Sequence, residues 1–164
     1  PATVFMGSEQ AEMALLEQNE LLEDQIHAVP IQSKTHTVMT HQGIVVQGIY
    51  MAHCYASKHH AMENIGFELL IDGKRILHVG DTEWFEDLFA ELGLYESNSD
   101  VAILPYWMLM SEKDVDHLAT WIHPKAVIAT HIPPSGYEEV LVAIQTHFPK
   151  ATCFTKIGQA LSFP

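Results

Sequence analysis

Three segments of strand-like sequence end in a side chain that can hold a cation: GIYMAH at His53, RILHVGD at Asp81 and AVIATH at His131. Imidazole and carboxylate are natural ligands of zinc and of harder first-row metals. A carboxylate has two oxygens and can bridge two cations, which a single imidazole nitrogen cannot. Strand ends along one edge of a sheet suit this task, because a rigid sheet aims several loops at one point. Each residue also has a plainer role. Asp81 or Thr82 stands where it would cap a following helix, and His53, beside Cys54, would simply end a strand. His131 precedes Ile-Pro-Pro, and those prolines stop the strand and hold a polar residue at its mouth.

The elements that must place these residues are legible in outline. Residues 2–6 (ATVFM) read as a short strand, and Ser8 caps a helix over residues 9–24 whose Met13, Leu15, Leu16, Leu21 and Leu22 give it an apolar side. THTVMT and GIVVQGIYMAH flank Gln42-Gly43, a hairpin turn; GFELLI and RILHV flank Asp72-Gly73, among the strongest short hairpin signals. After Asp81 helices and strands alternate. EWFEDLFAEL reads as a helix, DVAILPY as a buried strand, and residues 112–121 as a helix opened by a capping box of Ser111 and Asp114. KAVIAT is a second buried strand, Ser135 and Glu138 match a capping box for a helix through His147, and ATCFTK and ALSF close the chain as short strands. The class is α/β or α+β, a mixed sheet covered by helices, over residues 1–164 as one domain.

Composition narrows the function. The formal net charge is −13, with 21 acidic against 8 basic residues, which argues against a nucleic-acid backbone as the main partner. No apolar run approaches a membrane span of about 18–20 residues, and no leader resembles a signal peptide. Two cysteines, Cys54 and Cys153, make no disulfide framework, so a reducing cytoplasm is expected. Eleven histidines make metal chemistry worth testing. Of these, His59-His60 reads as a solvated loop pair and His78 as a structural strand residue. Cys54 reads as a small buried core residue, with a soft ligand as the sharper alternative. Trp84 and Phe85 read as helix anchors; Tyr106 to Met110 read as core, interface or pocket floor.

The order of these segments resembles the metallo-β-lactamase superfamily of metal-dependent hydrolases. The resemblance rests on the strand ending at His53, the hairpin running into Gly80-Asp81, the strand DVAILP after a helix, and KAVIATH. By that resemblance His53 is similar to the third histidine of the family's first metal site. Asp81 is similar to the carboxylate that bridges two metals, and His131 to the last histidine of the second site. The resemblance implies the C-terminal half of an αββα sandwich and a divalent cation, zinc or else manganese or iron. It also implies hydrolysis of a small-molecule substrate by metal-activated water, with a leaning toward lactones or other esters and phosphoesters.

The family signature His-x-His-x-Asp-His is absent from the chain. His36 and His41 are too far apart to supply it, and His59 and His60 are adjacent. The resemblance therefore implies an incomplete domain, its remaining ligands upstream of Pro1. An apolar sheet face would then be left open for a complementing N-terminal segment, or for a second copy in a homodimer. The alternative is a noncatalytic truncated module that dimerises or binds a partner.

Overall fold

The computed structural model describes residues 4–18, 25–30, 36–54 and 62–162. Nine strands and four helices are formed among them. A two-stranded parallel sheet pairs β1 (Phe5–Ser8) with β2 (Ile26–Val29), and α1 (Glu9–Glu17) lies between them in the chain. Ser8 opens α1 as its sequence implies, its Oγ accepting from the Ala11 backbone N–H at 3.2 Å. The rest of the helix read over residues 9–24 falls largely outside the described residues.

The main sheet has seven strands in the order of the sequence: β3 (His36–His41), β4 (Ile44–Tyr50), β5 (Ile65–Ile71), β6 (Lys74–His78), β7 (Val101–Pro105), β8 (Ala126–Thr130) and β9 (Thr152–Cys153). Pairing is antiparallel from β3 to β6 and parallel from β6 to β9. Both two-residue hairpin turns have positive φ at both central residues, Gln42 and Gly43 in one, Asp72 and Gly73 in the other. This is the turn whose twist matches that of the strands it joins.

The parallel half is wound with α2 (Glu86–Leu92), α3 (Glu112–Trp121) and α4 (Tyr137–His147). One face of the sheet packs on them. Ile49, Met51, Leu77, Leu104 and Ala129 bury against Phe89 of α2, Ile122 beyond α3 and Ile144 of α4. Met108 and Leu109 belong to this core and Trp107 packs on it, so the Tyr106–Met110 stretch is packing rather than pocket floor.

The other face is different. One transverse row crosses it from Gly48 through Phe67, His78 and Ile103 to Ile128, and a second runs from Val46 through Leu69 and Ile76 to Val101. Side chains that pair across strands share a face. Phe67, Leu69, Ile76 and Ile103 are only partly buried there. The small sheet covers one end of this surface. Val29 of β2 lies so close over Gly48 that an added Cβ would come within 2.3 Å of its side chain. Thus β1 and β2 begin a second layer over an apolar face that the described residues leave largely open.

Several local expectations are corrected. β2 has no counterpart in the sequence reading. β4 ends at Tyr50, so His53 stands three residues beyond the strand. α4 begins at Tyr137 with Gly136 as its N-cap at φ 80 and no side-chain cap, so the Ser135/Glu138 box does not form. Residues 160–162 are not a strand. α2 begins at Glu86, its N-cap is Phe85, and no side chain caps it. The Ser111/Asp114 box, in contrast, forms in full.

Candidate metal centre

Asp81 caps no helix, and its side chain is directed elsewhere. β6 ends at His78 and the backbone turns at Gly80, where φ is 68. A Cβ at Gly80 would lie 2.3 Å from Asn64 Oδ1 and 2.9 Å from the Ile65 carbonyl. Only glycine combines that dihedral with that approach. The contact matters because buried Asn64 grips the loop. It accepts from the Asp81 N–H at 2.8 Å and donates to the Val79 carbonyl at 3.2 Å.

The next residue ties the loop to the end of β4. Thr82 is fully buried, and its hydroxyl donates to the Ala52 carbonyl at 2.7 Å. The Cys54 N–H donates to the Asp81 carbonyl at 2.7 Å. Two chain segments that leave neighbouring parts of the sheet are therefore joined by one backbone bond and one bond from the Thr82 hydroxyl, and three metal-capable side chains meet at the join.

His53 Nε2 lies 3.3 Å from Asp81 Oδ2, and Cys54 Sγ lies 3.6 Å from Asp81 Oδ1. Ligand atoms of His53, Cys54 and Asp81 all fall within 4.8 Å of one another. His53 Nδ1 contacts the Cys54 carbonyl, which can only accept. That contact fixes Nδ1 as a protonated nitrogen and turns Nε2, the atom a metal would take, toward a carboxylate oxygen. A ring nitrogen and a carboxylate oxygen at this separation suit a cation between them. The donor set of imidazole, carboxylate and thiol fits a divalent metal.

Cys54 is buried, and its thiol is pushed up to about 11 by that burial and then by the negative charge of Asp81 and its hydrogen bond. Without a cation, sulfur there stays protonated at neutral pH.

His131 does not join this cluster. It follows β8 with φ 57 and is exposed, its ring 5.4 Å from that of Trp107. The Trp107 indole N–H donates to the Thr82 carbonyl at 2.8 Å, so one aromatic side chain links His131 to the Asp81 loop. His78, in the middle of the open face, accepts from the Gly80 N–H at 3.0 Å. Burial, then the nearby His131, holds its pKa below the usual histidine value.

The structural reading of His78 thus agrees with its contacts. Trp84 anchors α2, packing its ring at a tilt against Phe89 with centroids 5.1 Å apart and donating to the Met108 carbonyl at 3.2 Å. His59 and His60 lie outside the described residues. Cys54, read as a small buried core residue with a soft ligand as the alternative, is buried and lies beside the other two side chains.

No protein-family model matches the chain. A stretch of 69 residues is 42% identical to a UPF0173 metal-dependent hydrolase from Symbiobacterium thermophilum, covering 40% of this chain and 31% of that protein. Among solved structures, the metallo-β-lactamase fold protein YhfI from Bacillus subtilis superposes with a TM-score of 0.61 at 11% identity, over 96% of this chain and 64% of that one. The short form of human tRNase Z superposes with a TM-score of 0.57 at 13% identity, over 100% of this chain and 69% of that one. The chain thus spans less than two thirds of YhfI, and the aligned stretch is under a third of the curated relative. The seven-stranded mixed sheet, its helices and this likeness agree: the chain has the metallo-β-lactamase fold.

Proposed function

We propose that the chain is the metal-binding part of a metal-dependent hydrolase that cleaves a lactone, another ester or a phosphoester in a small molecule. The observation that carries this reading is the convergence of His53 and Asp81 from two loops clamped together by the Cys54–Asp81 backbone bond and the Thr82 hydroxyl. The likeness to a metal-dependent hydrolase over 69 residues supports it. When bound, a divalent cation, zinc before manganese or iron, supplies hydroxide near neutral pH and polarises the bond attacked. His53 Nε2 and the Asp81 carboxylate would hold it, in a one- or two-metal site. If a second ion is bound, Asp81 and His131, whose ring packs near that of Trp107, would help to hold it.

A groove of about 610 Å³ walled by Tyr50, Ala52, Trp84 and Phe85 borders the residue before His53. Its size suits a small molecule, and its aromatic walls suit the apolar part of an ester. Both cysteines are free, as a reducing compartment such as the cytoplasm would keep them. Among the described residues, no helix is long and apolar enough to cross a membrane.

The test is elemental analysis of protein purified without chelator or affinity tag, followed by hydrolysis assays on lactone, aryl ester and phosphodiester panels. Near-stoichiometric metal and a chelator-sensitive hydrolysis are expected. A folded chain with neither would leave the noncatalytic module as the reading.

The remaining ligands would come from an N-terminal segment laid over the open row of Phe67, Leu69, Ile76 and Ile103. Contiguous apolar surface of this kind rarely stays bare. The solved relatives, about half as long again as the stretch they share with this chain, leave room for such a segment. Without it, two copies are expected to pair through the same face. Sedimentation of the isolated chain should show dimers or larger species; a stable, monodisperse monomer would overturn the requirement for a partner.

A further inference from the structure

We propose that Cys54 ligates the same cation as His53 and Asp81, making a nitrogen, oxygen and sulfur centre that takes zinc or cobalt in preference to magnesium or manganese. The inference rests on the metal-dependent reading above and adds a ligand to it.

The distances fit. A tetrahedral ion with zinc–sulfur bonds of about 2.3 Å and zinc–nitrogen or zinc–oxygen bonds of about 2.0–2.1 Å separates its nitrogen and oxygen ligands by about 3.3 Å, and its sulfur and oxygen ligands by about 3.6 Å. His53 Nε2 to Asp81 Oδ2 is 3.3 Å, and Cys54 Sγ to Asp81 Oδ1 is 3.6 Å. The contacts reach different carboxylate oxygens, so a single ion would take Asp81 through both oxygens or after a small rotation of the carboxylate; one ligand atom from each residue lies within 4.8 Å of the other two.

The surroundings of the sulfur point the same way. A buried cysteine that serves only as packing touches apolar neighbours. Cys153 behaves so and packs against the main hydrophobic cluster; Cys54, though buried, lies outside that cluster. Cys54 Sγ meets a carboxylate and, at 3.8 Å, the His53 ring. Its backbone is pinned to the Asp81 loop by the bond to the Asp81 carbonyl, so the side chain is held toward the centre.

Soft thiolate ligands select zinc-like ions, whereas carboxylate and water suit magnesium and manganese. On ligation the thiol proton, now directed at Asp81, leaves to solvent as the sulfur–metal bond forms.

Cobalt(II) titration of the chain tests this, because the spectrum reports the ligands directly. With two cysteines in the sequence, a thiolate-to-cobalt band in the near ultraviolet must come from Cys54 or Cys153. The wild type should show that band together with visible ligand-field bands. Cys54→Ser should keep the visible bands, lose the ultraviolet band and bind at least about tenfold more weakly. Cys153→Ser should keep both. Zinc should displace the cobalt where equal manganese does not, and Cys54→Ser should narrow that preference.

Cys54→Ala, checked by circular dichroism, separates loss of ligand from loss of fold. Visible bands without an ultraviolet band in the wild type, or an ultraviolet band lost in Cys153→Ser, would overturn sulfur ligation while leaving the metal-dependent reading intact. A folded wild type with no cobalt spectrum would overturn both.

Discussion

Asp81→Ala is expected to abolish metal binding while leaving the fold in place. Its carboxylate is the one group that both other donors face, His53 through Oδ2 and Cys54 through Oδ1. Loss of a supporting residue around a metal usually costs about 10–100-fold in affinity, so loss of this ligand should cost more than about 100-fold. The bonds that hold the loop run instead through its backbone, to Asn64 and from Cys54, and alanine keeps them. Asp81 caps no helix, so no cap is forfeited. The contact with His53 is partly exposed and worth at most about 1 kcal/mol.

Zinc binding by calorimetry, beside a urea melt of the same protein, distinguishes the outcomes. Retained zinc with a lowered urea midpoint would mean that Asp81 is structural.

The second large effect is on stability. Gly80→Ala must place a Cβ where Asn64 and the Ile65 carbonyl already stand, at a backbone dihedral that alanine avoids. Overpacking and left-handed strain together should destabilise the chain by about 2–4 kcal/mol. Displacing Asn64 would also loosen its bond to the Asp81 N–H, so weaker zinc binding should accompany the lower urea midpoint. Adding Asn64→Ala removes part of the clash and should give a non-additive double mutant. A Gly80→Ala protein with wild-type stability would show that the turn relaxes freely and that the clamp on Asp81 is loose.

What could be read in the sequence was what local chemistry dictates. The turns at Gln42-Gly43 and Asp72-Gly73 were visible because each needs positive φ at two residues and carries a glycine at the second, with Asp72 suited to the first position of its turn. The Ser111/Asp114 box was visible because its bonds span a single turn of chain. β7 and β8 were visible as continuous apolar runs bounded by polar residues.

What was missed depends on distant partners. The four residues of β2 are fixed by pairing with β1 and by Val29 settling over Gly48, neither of which leaves a local signal. α2 starts late because Thr82 and Trp84, read as its beginning, bond to Ala52 and Met108 instead. At the centre, types and spacing singled out His53 and Asp81. The part of Cys54 became visible only when a loop 27 residues away was seen to close on it. His131 was chosen with them and stands apart, linked through Trp107.

The clamping of the Asp81 loop has a thermodynamic consequence. Ordering a residue costs about 1–2 kcal/mol, and a centre assembled by its metal must meet that cost when the ion arrives. Here Asn64, Thr82, Trp107 and the Cys54 amide hold the loop through hydrogen bonds that use none of the proposed ligand atoms. The ordering is met in folding, and the ion enters a prepared socket. Affinity should then reflect mainly the dehydration of the metal and the loss of ligand protons, with little heat or entropy spent on rearranging the chain.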